Sequence, residues 1–255
     1  MSKKEKPVVT VVLARMESSR LPGKALIDLG GIPLIGMVLE RFARHPELHP
    51  IVLATTPSVE DNLLAREAVS RGVEVYRGDS DDVLGRLIGA ARRCGLGSDG
   101  AVVKATGDNP FVDAEEAVRA YREHCRADAD LTIVEGLPMG AGVGVFKLGA
   151  LERSWKESDD PVSREHPGLL VRTEPGSYRL RILKAPPEKN NSALRITIDE
   201  YEDLELARKI ISRLEPGPVG PDLRSVINLL QQDDGFRAIN RDVQQEKPVL
   251  CSQKT

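Results

Sequence analysis

The chain has 255 residues, 40% of them hydrophobic and 29% charged, with a formal net charge of −3. That size buries one sizeable core, or one core and a small appendage. The slightly acidic balance argues against a nucleic-acid polymer as partner, and with one Trp, four Phe and four Tyr there is no stacking platform for single strands. Positive charge, where it clusters, should then serve a local site. No stretch is long and apolar enough to suggest a membrane span. Cys94, Cys125 and Cys251 match no metal or redox spacing, which points to reduced thiols and a cytoplasmic protein.

The opening "MSKKEKPVVTVVLAR" has the outline of a signal peptide. Its apolar run is short, meets Arg15 at once and has no small-residue cleavage site, so residues 8–14 read as a first strand. The chain then turns abruptly cationic in "LARMESSRLPGKAL", where Arg15, Arg20 and Lys24 crowd a turn with Ser18, Ser19, Pro22 and Gly23. Leu34, Ile35, Val38, Leu39, Phe42 and Ala43 mark one helix face. Strands are expected at 51–55, 73–76, 101–105 and 131–134, with a helix face at Leu84, Leu87, Ile88 and Ala91 and a further helix over 113–126. Such alternation predicts an α/β fold with a mainly parallel sheet covered on both faces, and a ligand site beyond the strands' carboxyl ends.

After residue 135 the rhythm changes. The Gly-rich "GLPMGAGVGVF" leads into short helices, strand candidates at 178–183 and 194–198, and a helix with Leu204, Ala207, Ile211 and Leu214 on one face. "EPGPVGPD", residues 215–222, reads as a linker to small helices at 223–232 and 236–243, with a frayed end. The expected division is a domain over 1–214 and a linker with a helical tail over 215–255.

Three stretches could carry chemistry. Two arginines and a lysine after a strand's carboxyl end supply donors that fork onto phosphate oxygens, and Gly23 lets the backbone approach. A Walker-type loop is excluded, because Ser18 holds the first Gly position and Ala25 replaces the magnesium-binding hydroxyl. "GLGSDG", residues 95–100, precedes a strand instead of opening a helix, so its G-x-G-x-x-G match is spurious. In "VVKATGDNPFVD", Asp108 follows a strand on a tight turn, where it could reach a magnesium ion or simply make an Asx turn with Asn109. In "LRITIDEYEDLELARKI", Asp199 precedes a helix with Glu202 three residues on, and could be a helix cap or a second carboxylate facing the first.

These motifs, with "YRGDSDDVLGRLIGAA", "TGDNP" and "SREH", resemble in order those of the CMP-sugar-acid cytidylyltransferases, closest to the spore coat polysaccharide biosynthesis protein F branch. The resemblance covers about residues 8 to 214. It implies a three-layer, Rossmann-like nucleotide-diphospho-sugar transferase fold, a homodimer, and transfer of CMP from CTP to a sugar acid with Mg2+. It further implies that Ala14, Arg15, Ser19, Arg20, Gly23 and Lys24 hold the triphosphate, and that Asp82 and Arg86 lie near the nucleoside. Asp108 and Asp199 would carry the metal, with Arg15 and Lys24 in the catalytic set. Arg164 and His166 would face the acceptor.

The chain departs from the branch at Asn109, where Cys is usual, at Pro167-Gly168, and at Gly142 and Gly144, where acids are expected. The two glycines imply a more open, less negative wall, suited to an acidic acceptor. A phosphonate or polyol acceptor, or a nucleotide-binding subunit without acceptor chemistry, stays open at this point.

Overall fold

The computed structural model describes residues 5–174, 176–214 and 219–244. Seven strands form one sheet: β1 (Val8–Leu13), β2 (Ile51–Thr55), β3 (Glu74–Arg77), β4 (Ala101–Thr106), β5 (Leu131–Glu135), β6 (Gly144–Lys147) and β7 (Leu180–Lys184), in the order β3-β2-β1-β4-β6-β5-β7. Every neighbouring pair is parallel except those of β6, which runs against β4 and β5. The mainly parallel α/β sheet expected from the alternation is therefore present. β1 is central and buried on both faces, which is why it reads as an unbroken apolar run. Its side chains alternate with period two. Val8 and Val12 enter one hydrophobic cluster, and Val9, Val11 and Leu13 the other.

Helices cover both faces. α1 (Leu34–Ala43), α2 (Asp61–Ser70) and α4 (Ala114–Ala127) build the first cluster, and α3 (Val83–Arg93), α5 (Leu148–Glu157) and α7 (Leu169–Thr173) the second. α6 (Pro161–Glu165) lies between α5 and α7. A third cluster joins α8 (Tyr201–Arg213) and α9 (Leu223–Gln232) to Leu29, Leu34 and Met37, with α10 (Asp234–Ala238) beside them. The helix expected after the 215–222 stretch thus shares a core with the body of the chain. Arg41 of α1 donates at 2.7 Å to the carbonyl of Pro221, which lies within that stretch. Residues 215–218 of the expected linker, and 245–255 of the expected frayed end with Cys251, lie outside the described residues.

Three local expectations change. The segment 194–198 is not a strand of the sheet. It touches Met139 through a single bridge, and the amide of Ile198 donates to the carbonyl of Asp108 at 2.9 Å. The helix expected at 236–243 is the shorter α10. The sheet gains β6 from the Gly-rich segment, whose glycines hid the strand pattern.

The strand order places the site. β1 feeds β2 on one side while β4 lies on the other, so the chain's direction across the sheet reverses between β1 and β4. A crevice opens outside the carboxyl ends at such a point. Leu13 and Thr106 are register partners at those ends, and the Gly107 amide donates to the Leu13 carbonyl at 2.9 Å. A Cβ on Gly107 would stand 2.7 Å from the Ala14 Cβ, so the two exit loops can run this close only because residue 107 has no side chain.

Candidate active site

The loop leaving β1 is tied at its root. Asp61, at the start of α2 and 1% exposed, accepts the Met16 amide at 2.7 Å, the Thr55 hydroxyl at 2.7 Å and the Thr56 amide at 2.9 Å. Burial alone would raise its pKa, but these donors outweigh it and hold the carboxyl below its ordinary value. The loop closes where the Gly23 amide donates to the Met16 carbonyl at 3.0 Å, with Gly23 in the left-handed region at φ 73°. Lys24 follows at once and is delivered to the crevice.

There it meets both expected carboxylates. The Lys24 ammonium donates to Asp108 Oδ2 at 3.0 Å, Asp199 Oδ1 at 2.8 Å and the Ile198 carbonyl at 2.8 Å. Desolvation works against this ammonium, yet Asp108 and Asp199 more than offset it and hold its pKa above the usual lysine value. Arg195 donates to the other Asp199 oxygen at 3.0 Å and to Asp203 at 2.8 Å. Arg20 approaches Asp199 at 3.6 Å and Glu200 at 3.0 Å.

Asp199 does not cap α8. The cap is Glu200, whose amide donates back to Asp203 at 3.1 Å, so the capping box sits one residue later than the sequence suggested and involves Asp203 instead of Glu202. The Asp199 carboxylate is thereby free to face the crevice.

On the far wall two guanidinium groups converge on the turn before α3. Arg15 donates to the Ser80 carbonyl at 3.2 Å, and Arg86 to the carbonyls of Asp79 and Ser80. Arg86 is 3% exposed, and its Nε is a buried donor with no partner among the described residues. Burial, then the Arg15 charge, lowers its pKa.

One cavity of about 320 Å³ takes in Ala14, Arg15, Ser19, Arg20, Lys24, Arg86, Asp108, His166 and Asp199. The structure thus brings together most residues expected from the motifs. Asp82 and Arg164 do not line it. Asp82 caps α3 through the Gly85 amide at 2.7 Å and accepts Trp155 Nε1 at 2.7 Å and Arg164 at 3.3 Å, while Arg164 stacks 4.2 Å over the Trp155 ring. The pair clasps α3, α5 and α6. Gly23 does not line the cavity either, and acts on the loop through its left-handed turn. Asp61 and Arg195 were not singled out from the sequence, since an acid opening a helix and an arginine in a strand-like run are common.

Residues 9–236 match the family described as cytidylyltransferase. The chain belongs to the cytidylyltransferase family. It is 28% identical to the spore coat polysaccharide biosynthesis protein SpsF of Bacillus subtilis over 216 residues, covering 83% of this chain and 89% of that protein. A cytidylyltransferase from Leptospira borgpetersenii superposes with a TM-score of 0.81 at 23% identity, over 96% of this chain and 100% of that one. A CMP:2-keto-3-deoxy-manno-octonic acid synthetase complexed with CTP superposes with a TM-score of 0.64 at 17% identity, over 81% of this chain and 99% of that one. These solved relatives share the fold, a Rossmann-like nucleotidyltransferase architecture.

Proposed function

We propose that this cytidylyltransferase transfers CMP from CTP to a hydroxyl of a sugar acid and releases pyrophosphate. The observation that carries the reading is the meeting of Lys24 with Asp108 and Asp199 in a cavity walled by Arg15, Arg20 and Arg86. A triphosphate laid along that wall finds forked donors in Arg15 and Arg20. The acceptor's oxygen attacks the α-phosphorus, the bond to the bridging oxygen breaks, pyrophosphate departs and the hydroxyl proton passes to solvent. Arg15, Arg20 and Lys24 hold the departing charge, which accounts for a cationic loop on a mildly acidic protein.

The donor set suits Mg2+. The ion binds through one or two carboxylates and completes its shell with phosphate oxygens and water, so it requires no all-protein cage. Among the described residues no group of three or more His, Cys, Asp or Glu side chains is placed to hold a metal ion, whereas Asp108 and Asp199 supply two carboxylates, each within 3.0 Å of one ammonium. Asp108 and Asp199 would hold Mg2+, which when bound neutralises charge on the phosphates. The experiment is thermal unfolding with each nucleoside triphosphate and Mg2+. CTP should raise Tm more than ATP, GTP or UTP. Equal shifts from all four would overturn the choice of nucleotide.

A further inference from the structure

A second, smaller cavity of about 170 Å³ adjoins the first, with His166 lining both. Its wall is built from three places in the chain. Lys104 comes from β4, Gly144 and Phe146 from β6, and Gly168 and Arg172 from the α7 region. Along β4 the side chains alternate, so Lys104 shares a face with Val102, which packs into the apolar cluster under α3, α5 and α7. A lysine in a strand paired on both sides, on a face otherwise apolar, requires a reason. Capping, pairing and surface solvation are the ordinary ones.

None of them applies. Lys104 is partly buried, and among the described residues its ammonium makes no hydrogen bond or ion pair. Nor does the Arg172 guanidinium, which lies at the more exposed rim. Three other enclosed cations are matched by carboxylates: Lys24 by Asp108 and Asp199, Lys189 by Asp113 at 2.7 Å, Arg195 by Asp203 at 2.8 Å. Two unmatched like charges facing one small cavity raise each other's cost and call for an anion from outside the chain. Burial, with the Arg172 charge behind it, pushes the Lys104 pKa down to about 8, against the opposing pull of Asp108. Desolvation, with the Lys104 charge adding to it, holds the His166 imidazole below its ordinary value.

We infer that Lys104 and Arg172 form an oxyanion subsite that takes the carboxylate or phosphonate head of the acceptor. The assignment of that anion to the acceptor rests on the nucleotidyl-transfer reading above, whereas the anion site itself does not. The cavity holds about six water volumes, enough for one oxyanion and the carbon bearing it, with the rest of the acceptor extending past His166 toward Asp108. An acid at residue 144 would force the Phe146 ring to shift, because a Cβ there would stand 2.6 Å from it. Gly144 therefore leaves the two cations uncompensated, and their charge becomes available to a ligand.

The test uses full-length protein with 13C-labelled lysine and follows the Lys104 Cε signal, assigned from Lys104→Met. The probes are 3-deoxy-D-manno-octulosonate, its uncharged methyl ester, and inorganic phosphate. Both anions should move the signal saturably and the ester should not. Arg172→Met should weaken the response roughly 10- to 100-fold, the worth of one charge-assisted contact. Calorimetric titration with CTP, run on the same samples, should give unchanged affinity in both variants. The tighter anion assigns the head group as carboxylate or phosphorus oxyanion. A Lys104 signal indifferent to both anions, or a response that Arg172→Met leaves unchanged, overturns the subsite. Failure of CTP to bind while the anions still do overturns the nucleotide reading and leaves the subsite standing.

Discussion

Replacing Lys24 with Met removes one ammonium from between two carboxylates and keeps most of its apolar stem. Asp108 and Asp199 lie 3.0 and 2.8 Å from that ammonium, so they stand no more than about 6 Å from each other. Their side chains are only 25% and 12% exposed, which limits screening by water. At an effective dielectric constant of about 20, two unit charges at that separation repel by roughly 3 kcal/mol. Breaking a largely buried pair by deleting one partner costs about 3–5 kcal/mol in general, so the two routes agree. For a chain of this size that loss lowers Tm by roughly 6–12 °C. The assay is thermal unfolding at pH 7 without divalent ions, then with Mg2+. Lys24→Met should lose that stability and recover more of it in Mg2+ than the wild type gains, because the freed carboxylates share the added charge. Adding Asp108→Asn to the variant should restore part of the loss without any metal. A fall below about 1 kcal/mol, with no extra response to Mg2+, would refute the idea that these carboxylates face one another across Lys24.

Other residues make equally definite predictions. His124 is 1% exposed and its pKa is lowered to about 4 by burial, so the native state keeps it neutral. Its folded-state pKa lies below the unfolded value, so this contribution is complete above about pH 6.5 and is lost as pH falls toward 4, a span worth about 3 kcal/mol; urea unfolding across that window should be flatter in His124→Gln. Gly107→Ala forces a Cβ to within 2.8 Å of both Ala14 and Ile35, and should cost about 1–3 kcal/mol in chemical unfolding while spreading the two loops and weakening nucleotide binding. Asp199→Asn should leave helix content by circular dichroism unchanged, since Glu200 and not Asp199 caps α8, yet remove most turnover; near-normal turnover would dismiss Asp199 from the site.

The sheet was legible where burial on both faces leaves an unbroken apolar run, as in β1, β2 and the start of β4. β6 was not, because Gly144, packed close under the Phe146 ring, dilutes the strand pattern. α2 escaped notice because it buries little beyond Asp61, Leu64 and Ala68, while its apolar Leu63 and Val69 are exposed and blur the face. The run 194–198 misled in the opposite direction, since its alternating pattern serves a few hydrogen bonds to Met139 and Asp108 and not a place in the sheet. The cationic loop, Asp108 and Asp199 were readable because phosphate chemistry concentrates distinctive residues over short spans. Lys104 and Arg172 were not, because 68 positions separate them and only the β4–β6 pairing and the turn into α7 bring them to one cavity.

The most direct measurement is pyrophosphate release from CTP in the presence of Mg2+, with and without 3-deoxy-D-manno-octulosonate, N-acetylneuraminate, a phosphonate and a neutral hexose. Transfer to an acidic acceptor predicts release that requires CTP, Mg2+ and an acidic member of the panel together, and that falls on the order of 100-fold or more in Asp108→Asn. Release that proceeds equally with ATP, or that prefers the neutral sugar, or that survives Asp108→Asn intact, would contradict it.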